Sequence, residues 1–242
     1  MLTSRHTSRK FLDLFVGPLS PDWILNLQLR KSVTTLSKSL LCRGQLVVDL
    51  GSGKSPYKQA ILELGCRYIS VDFSGADVQF RSSGDTDLPD GCADLVLSTQ
   101  VLEHVSDTAA YLAEAKRILR DDGTLLLSTH GVWLFHPHPH DYRRWTKEGL
   151  VLELGEAGFV PTQTRSLVGP LGWTTMLRSI GYEFMLRRFR LLGRLVSGTL
   201  SLVMNARIVL EEAITPAWVR EENACVYVAV CVINPGLHAG HS

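Results

Sequence analysis

The stretch Val47-Val48-Asp49-Leu50-Gly51-Ser52-Gly53-Lys54-Ser55-Pro56-Tyr57 constrains the fold more than any other part of the chain. An apolar run ends in an acid, meets two glycines and enters a helix-compatible segment. Strand, glycine turn and helix together open a parallel sheet, because parallel strands need a crossover and a helix supplies it. The middle of the chain repeats the unit. Gln45–Leu50, Arg67–Val71, Asp94–Ser98 and Thr124–Thr129 read as strands, with Ala76–Phe80 a weaker edge strand. Tyr57–Leu64 reads as a helix closed by Gly65. Asp107 caps a helix to about Arg120, with Tyr111, Ala115, Ile118 and Leu119 inward and Gly123 as terminator. Thr146 caps another, with Leu150, Val151, Leu154 and Ala157 inward and Gly158 at its end. Phe159–Val168 and Ala224–Ile233 are two further strands, separated by a helical stretch, Gly169–Pro216, that breaks the alternation.

Length and charge narrow the readings. At 242 residues the chain can bury one good core. Its net charge of +1 hides a segregation: residues 45–160 balance at −7, residues 1–44 at +5 and residues 161–242 at +3. An acidic centre repels phosphates, so DNA is not an expected partner. The five cysteines include no C-x-x-C pair, which argues against zinc and disulfide frameworks and fits a reducing compartment. Arg5, Arg9 and Lys10 precede no long apolar core, so no secretory signal is expected; the lack of acids before Asp13 leaves a weak organelle-targeting reading open. A cytoplasmic location is the expectation.

The glycine turn carries the sharpest chemistry. Gly51 and Gly53 let a ligand approach the main chain. Asp72 lies about 20 residues on, at the end of the second strand, where an acid binds ribose hydroxyls. A dinucleotide site would want a third glycine where Pro56 stands, which disfavours a nicotinamide dehydrogenase, and the phosphate-cradle pattern G-x-x-x-x-G-K-[ST] fails too. The loop suits a nucleoside without a pyrophosphate; a purely structural turn is the competing reading.

With these residues in place, the chain resembles a class I S-adenosylmethionine-dependent methyltransferase, of the group often called methyltransferase type 11. VVDLGSGKSPY resembles that family's first motif and YISVDFS its second. GDTDLPDGCADLVLSTQVLEHV resembles the adenine loop, fourth strand and following helix start, and LRDDGTLLLST the turn into the fifth strand. HPHPHDYRRWTKEGL resembles a signature that follows that strand. The resemblance covers roughly residues 44–168.

It implies a Rossmann-like, mostly parallel sheet with an antiparallel last strand and helices on both faces. The organisation expected is an N-terminal helical segment (1–43), a cofactor-binding core (44–168), a helical insertion or lid (169–216), and a last core strand and tail (217–242). The implied cofactor is S-adenosylmethionine. Asp49, Gly51, Ser52 and Gly53 would meet its amino-acid end, Asp72 the ribose hydroxyls and Phe73 the adenine face. Asp85 would accept from the adenine amine with Thr86 beside it, and Thr99 and Gln100 would line the methionine moiety. Carboxylates suit these places because the hydroxyls and the amine are donors. A solvated loop acid is the alternative for Asp85 and the preferred reading of Asp87 and Asp90. The family usually places an aromatic after the Leu-Pro, but Leu88-Pro89 is followed directly by Asp90, so the loop lacks its apolar anchor.

Methyl transfer from a sulfonium is an in-line displacement that needs alignment and sometimes a base. His130–Trp145 leaves the carboxyl end of the fifth strand, where ligands of such sheets sit. His140 or His136 is the expected base, with Asp141 an orienting partner; Tyr142, Arg144 and Trp145 would fasten the loop. Glu103 and His104 read as a pair that positions neighbouring loops, with His104 as a base the second reading. His136, His138 and His140 alternate and would share a face of an extended chain, yet the prolines and the lack of a nearby cysteine argue against a metal, and none is expected.

The insertion sets Arg178, Arg187, Arg188, Arg190 and Arg194 among Leu, Phe and Met. It reads as a lid over the acceptor pocket, or as a basic amphipathic face at residues 178–200 resting peripherally on anionic lipid at the inner membrane face. The expected acceptor is a small molecule, a sugar or a lipid-linked compound. RNA or protein methylation, and a non-catalytic cofactor-binding partner protein, are the alternatives; Ser98-Thr99-Gln100-Val101 is not the Asn/Asp-Pro-Pro-Tyr/Phe motif of base-amine methylation.

Overall fold

The computed structural model describes residues 17–234. The basic N-terminal residues Arg5, Arg9 and Lys10, and the first part of the expected helical segment 1–43, lie outside the described residues. Seven strands form one sheet in the order β3-β2-β1-β4-β5-β7-β6. They are β1 (Leu46–Leu50), β2 (Arg67–Asp72), β3 (Val78–Gln79), β4 (Ala93–Thr99), β5 (Leu119–His130), β6 (Phe159–Leu167) and β7 (Val226–Ile233). Strands β1 to β5 pair in parallel, and β7 runs antiparallel to both β5 and β6. The sheet is therefore mostly parallel with an antiparallel last strand, as expected.

Every residue of β1 is buried, which a strand covered on both faces requires. Its neighbours alternate between two cores. Val48, Leu50, Val96, Leu125 and Leu127 face helices α3 (Thr108–Ile118) and α4 (Lys147–Glu156). Val47, Leu95, Leu97 and Leu126 face the opposite side, which holds α1 (Trp23–Leu40), α2 (Lys58–Glu63) and α5 (Pro170–Leu186). Helix α1 contributes Leu29, Val33 and Leu36 to this second core, so it belongs to the sheet's packing.

The helix caps stand where the sequence puts them. The Asp107 carboxylate accepts from the Ala110 amide at 2.9 Å and the Thr146 hydroxyl from the Gly149 amide at 3.0 Å. Two details differ. Val151 is 41% exposed, because α4 turns only Leu150 and Leu154 fully inward. The third helix ends at Ile118, and β5 starts at Leu119, ahead of the expected terminator Gly123, because Leu119 already pairs with Ala93.

The insertion is a helical hairpin. Helix α5 and helix α6 (Arg190–Ile214) are joined by a short 3-10 turn, Arg187–Phe189, and α7 (Ala217–Glu222) leads into β7. The two long helices come close because small residues lie between them. A Cβ on Gly193 would stand 1.9 Å from the Leu186 carbonyl oxygen, and the Ser179 and Ser201 hydroxyls are 3.4 Å apart.

Candidate active site

The turn after β1 sits at the carboxyl end of the sheet. Gly51 has φ +72°, and a Cβ there would meet Val101 at 2.6 Å, so both its backbone angle and its surroundings require glycine. The Gly51 and Ser52 amides donate to the Val71 carbonyl, and the Gly53 amide donates to Asp72 Oδ2 at 2.8 Å. The amide of exposed Phe73 donates to Asp72 Oδ1 at 2.7 Å. Asp72 is thus fixed at the rim of the turn, with acceptor capacity left on both oxygens. The Phe73 ring lies 5.2 Å from Phe80.

Behind the turn lie buried polar groups. Asp49 Oδ2 accepts from the Tyr68 hydroxyl. Asp49 Oδ1, Ser52 Oγ and Gln100 Oε1 are buried without a hydrogen-bond partner. Burial pushes the Asp49 carboxyl up to about 7, against the Tyr68 hydrogen bond that lowers it and with nearby Asp72 raising it further. Gln100 has φ 57° and is held by its amide on the Ser128 carbonyl and its side chain on the Ser128 hydroxyl. Thr99, half-buried, ends β4 beside it. Three unpaired acceptor or hydroxyl atoms beside a glycine turn fit the ammonium and carboxylate end of an amino-acid-bearing nucleoside such as S-adenosylmethionine.

The loop expected to hold the adenine is organised by ion pairs. Asp85 pairs with Arg81 at 2.7 Å and accepts from Ser83, contacts that hold its carboxyl below the usual range. The buried Thr86 turns away from the turn: its amide and hydroxyl donate to Glu114 Oε1 at 2.9 and 2.6 Å. Arg117 joins Glu114, the Leu88 carbonyl and Asp90. This Thr86–Glu114–Arg117–Asp90 network anchors the loop where the apolar anchor is missing. Asp87 and Asp90 are exposed loop acids, as expected, and each also forms a surface ion pair, with Arg81 and Arg117.

The segment after β5 is clasped in place. The Tyr142 amide donates to the Glu103 carbonyl at 2.8 Å and the Trp145 amide to the His130 carbonyl at 3.1 Å. Arg144 donates to the Leu134 carbonyl, and Arg143, which the sequence did not single out, to the carbonyls of Val105 and Ser106. Asp141 partners His136 and not His140: it accepts both Arg144 nitrogens, at 2.6 and 2.7 Å, and the His136 amide. Burial alone would raise the Asp141 carboxyl, but the Arg144 and His136 hydrogen bonds hold it down to about 2. Burial lowers His136 to about 4 and also lowers His104, whose Nδ1 faces the His140 carbonyl. His136 is buried while His138 and His140 are exposed, so the three histidines share no face. The His140 ring lies on the exposed side, 5.5 Å from Tyr142.

Sequence reasoning left out His130, the last residue of β5, which is 1% exposed. A histidine closing an apolar strand at the ligand end of a parallel sheet was the available signal. A surface hollow of about 610 Å³ beside Asp90, Lys116 and Ile233 lies at the opposite end of the strands from these groups.

A family model described as a methyltransferase domain matches residues 24–184, which takes in nearly all of α1 and α5 and the strands β1 to β6, but not β7. A probable S-adenosylmethionine-dependent methyltransferase of Mycolicibacterium smegmatis is 29% identical over 136 residues, 49% of this chain and 53% of that protein. A ubiquinone biosynthesis O-methyltransferase of Cereibacter sphaeroides is 23% identical over 196 residues, 67% of this chain and 79% of that protein. The chain spans about half the length of the mycobacterial relatives it matches. The same fold occurs in the Burkholderia thailandensis 1,6-didemethyltoxoflavin-N1-methyltransferase, solved with its acceptor and S-adenosylhomocysteine. That structure matches at TM-score 0.54 and 17% identity, over 85% of this chain and 78% of that one. The chain belongs to the methyltransferase-domain family, in its class I S-adenosylmethionine-dependent form.

Proposed function

We propose that this chain transfers a methyl group from S-adenosylmethionine to a lipid-linked small-molecule or sugar acceptor at an anionic membrane surface. The observation that carries the acceptor class is the inverted character of the hairpin. Helix α6 buries Gly193, Ser197, Gly198, Ser201 and Asn205, and of its large apolar residues it buries Ile208 but turns Leu191, Leu192, Leu195, Val203 and Leu210 outward. Leu191, Leu192 and Leu195 are 62–69% exposed, with Phe189 at 52% in the preceding turn. Arg188, Arg190 and Arg194 stand exposed among them. A basic, apolar surface of this kind suits the headgroup layer of an anionic bilayer. No helix among the described residues is long and apolar enough to cross a membrane, and the contact we propose is a peripheral one. The hairpin leaves the end of β6, which runs parallel to β5, so it starts from the ligand end of the sheet.

When bound, the cofactor supplies an electrophilic methyl group on a sulfonium. Asp49, Ser52 and Gln100 hold the amino-acid end, and the turn at Gly51 and Gly53 admits it to the main chain. Asp72 takes the ribose hydroxyls. His140, on the exposed side of the clasped loop, accepts the acceptor's proton. Asp141 acts indirectly, by fixing His136 and the backbone that carries His140.

Sedimentation with vesicles tests the acceptor class. The protein should pellet with phosphatidylglycerol-containing vesicles and stay in solution with phosphatidylcholine alone. A protein that ignores both and elutes as a dimer would assign the apolar face to self-association instead. His140→Ala should slow methyl transfer at least tenfold while leaving cofactor affinity in calorimetry near normal; loss of both would make His140 structural.

A further inference from the structure

A second group of side chains converges behind the clasped loop, apart from the cofactor pocket. Glu103 lies in the 3-10 turn after β4, His130 ends β5, and His136 comes from the loop itself. They are 0%, 1% and 3% exposed. Each offers one ligand atom, and the three atoms lie within 4.8 Å of one another. Glu103 Oε1 and His130 Nε2 are 3.5 Å apart, and neither has a hydrogen-bond partner, nor does His130 Nδ1. Buried polar atoms are rarely left so, and an ion is one accepted resolution.

The chemistry suits a cation. All three side chains are buried, which favours neutral imidazoles with lone pairs and leaves the Glu103 carboxylate in want of a cation beside it. Metal–ligand bonds of about 2.0–2.2 Å put neighbouring tetrahedral ligands about 3.4 Å apart. The Glu103–His130 spacing of 3.5 Å already matches that edge. The Thr129 hydroxyl donates to Glu103 Oε2 at 2.9 Å, an outer-sphere support of the kind that orients a ligating carboxylate. The alternative trio His104, His136 and Asp141 is less apt. Both Asp141 oxygens are engaged by Arg144, and His104 Nδ1 is taken by the His140 carbonyl.

We propose that Glu103, His130 and His136 bind a divalent transition metal ion of the zinc type, which pins the acceptor loop to the ends of β4 and β5. Two imidazoles and a carboxylate without thiolate are a borderline donor set that zinc or cobalt(II) accepts, with water completing the coordination. The expectation of no metal rested on His136, His138 and His140; only His136 belongs to this set, and the other two ligands come from segments distant in sequence.

Metal-free protein, prepared with a chelator, would be titrated with Zn²⁺, and crystals grown with one equivalent would be measured at the zinc edge. The expected result is one ion per chain, an anomalous peak among the three side chains, and visible absorption of an N/O site when Co²⁺ replaces zinc. Glu103→Gln and His130→Asn should each weaken zinc binding at least tenfold, while His138→Ala with His140→Ala should keep it. Retained cofactor binding in calorimetry reports that the two ligand variants fold; if they do not, the anomalous peak in the unaltered chain decides. No bound zinc, a peak elsewhere, or loss of binding in the His138/His140 variant would overturn the proposal.

Discussion

At the scale of single residues, Asp49 ties the cofactor pocket to proton chemistry. Its carboxyl is 1% exposed, keeps one oxygen unpaired and titrates near 7 because burial disfavours its charge. In the free protein the raised value works against stability as pH climbs. The folded state holds a proton that the unfolded chain has released above about 4, so the fold loses stability between about pH 4 and pH 7. In metal-free protein Glu103, also raised to about 7, adds to the same slope. A bound ammonium group reverses the balance at Asp49 by favouring the carboxylate. Cofactor binding below pH 7 should therefore release up to one proton, and affinity should rise from about pH 6 to about pH 7.5, while the cofactor's own amine stays largely protonated. Calorimetry in two buffers of different ionisation enthalpy measures the proton count. Asp49→Asn should abolish the release; an unchanged release in that variant would place the titrating group elsewhere.

At the scale of elements, the repeated strand–turn–helix units could be read directly, since each is local in sequence. The caps at Asp107 and Thr146 and the glycine turn at Gly51 each depend on residues within a few positions of one another. The partners of the acceptor loop were not legible, because they depend on distances across the fold. Asp141 chose His136 and Arg144 over its chain neighbour His140 once Arg144 also reached the Leu134 carbonyl. Glu103 and His130 are 27 positions apart and meet only because β4 and β5 pair in register, Thr99 opposite Ser128. The adenine loop shows the same limit. The sequence showed only that its usual aromatic is missing, whereas Glu114 and Arg117, from α3, supply a polar anchor. The arginine-rich insertion was legible as amphipathic, but the small residues that pull its helices together identify its inner face only in three dimensions.

At the scale of the whole molecule, charge and shape point the same way. The acidic core, balanced at −7 over residues 45–160, would be repelled by an anionic surface, so contact has to come from the basic flanks. The hairpin carries both ingredients of interfacial binding, and they separate experimentally. Each arginine near an anionic bilayer contributes about 1 kcal/mol. Arg187 is partly engaged by Glu183 at 3.2 Å, so Arg188, Arg190 and Arg194 are the better probes. Replacing all three with Gln should cost about 3 kcal/mol, or roughly a hundredfold in vesicle affinity at low salt. That loss should shrink as salt approaches about 1 M, where screening falls to about 3 Å. Leu191→Ser with Leu192→Ser and Leu195→Ser should weaken binding at every salt concentration, because burial of apolar surface is not screened. These leucines are 62–69% exposed, so the substitutions should leave the melting temperature and cofactor affinity nearly unchanged. A leucine variant that binds as tightly as the unaltered chain at every salt concentration would mean that the hairpin meets its partner through charge alone, and a protein or soluble polyanion would then replace the membrane as its target.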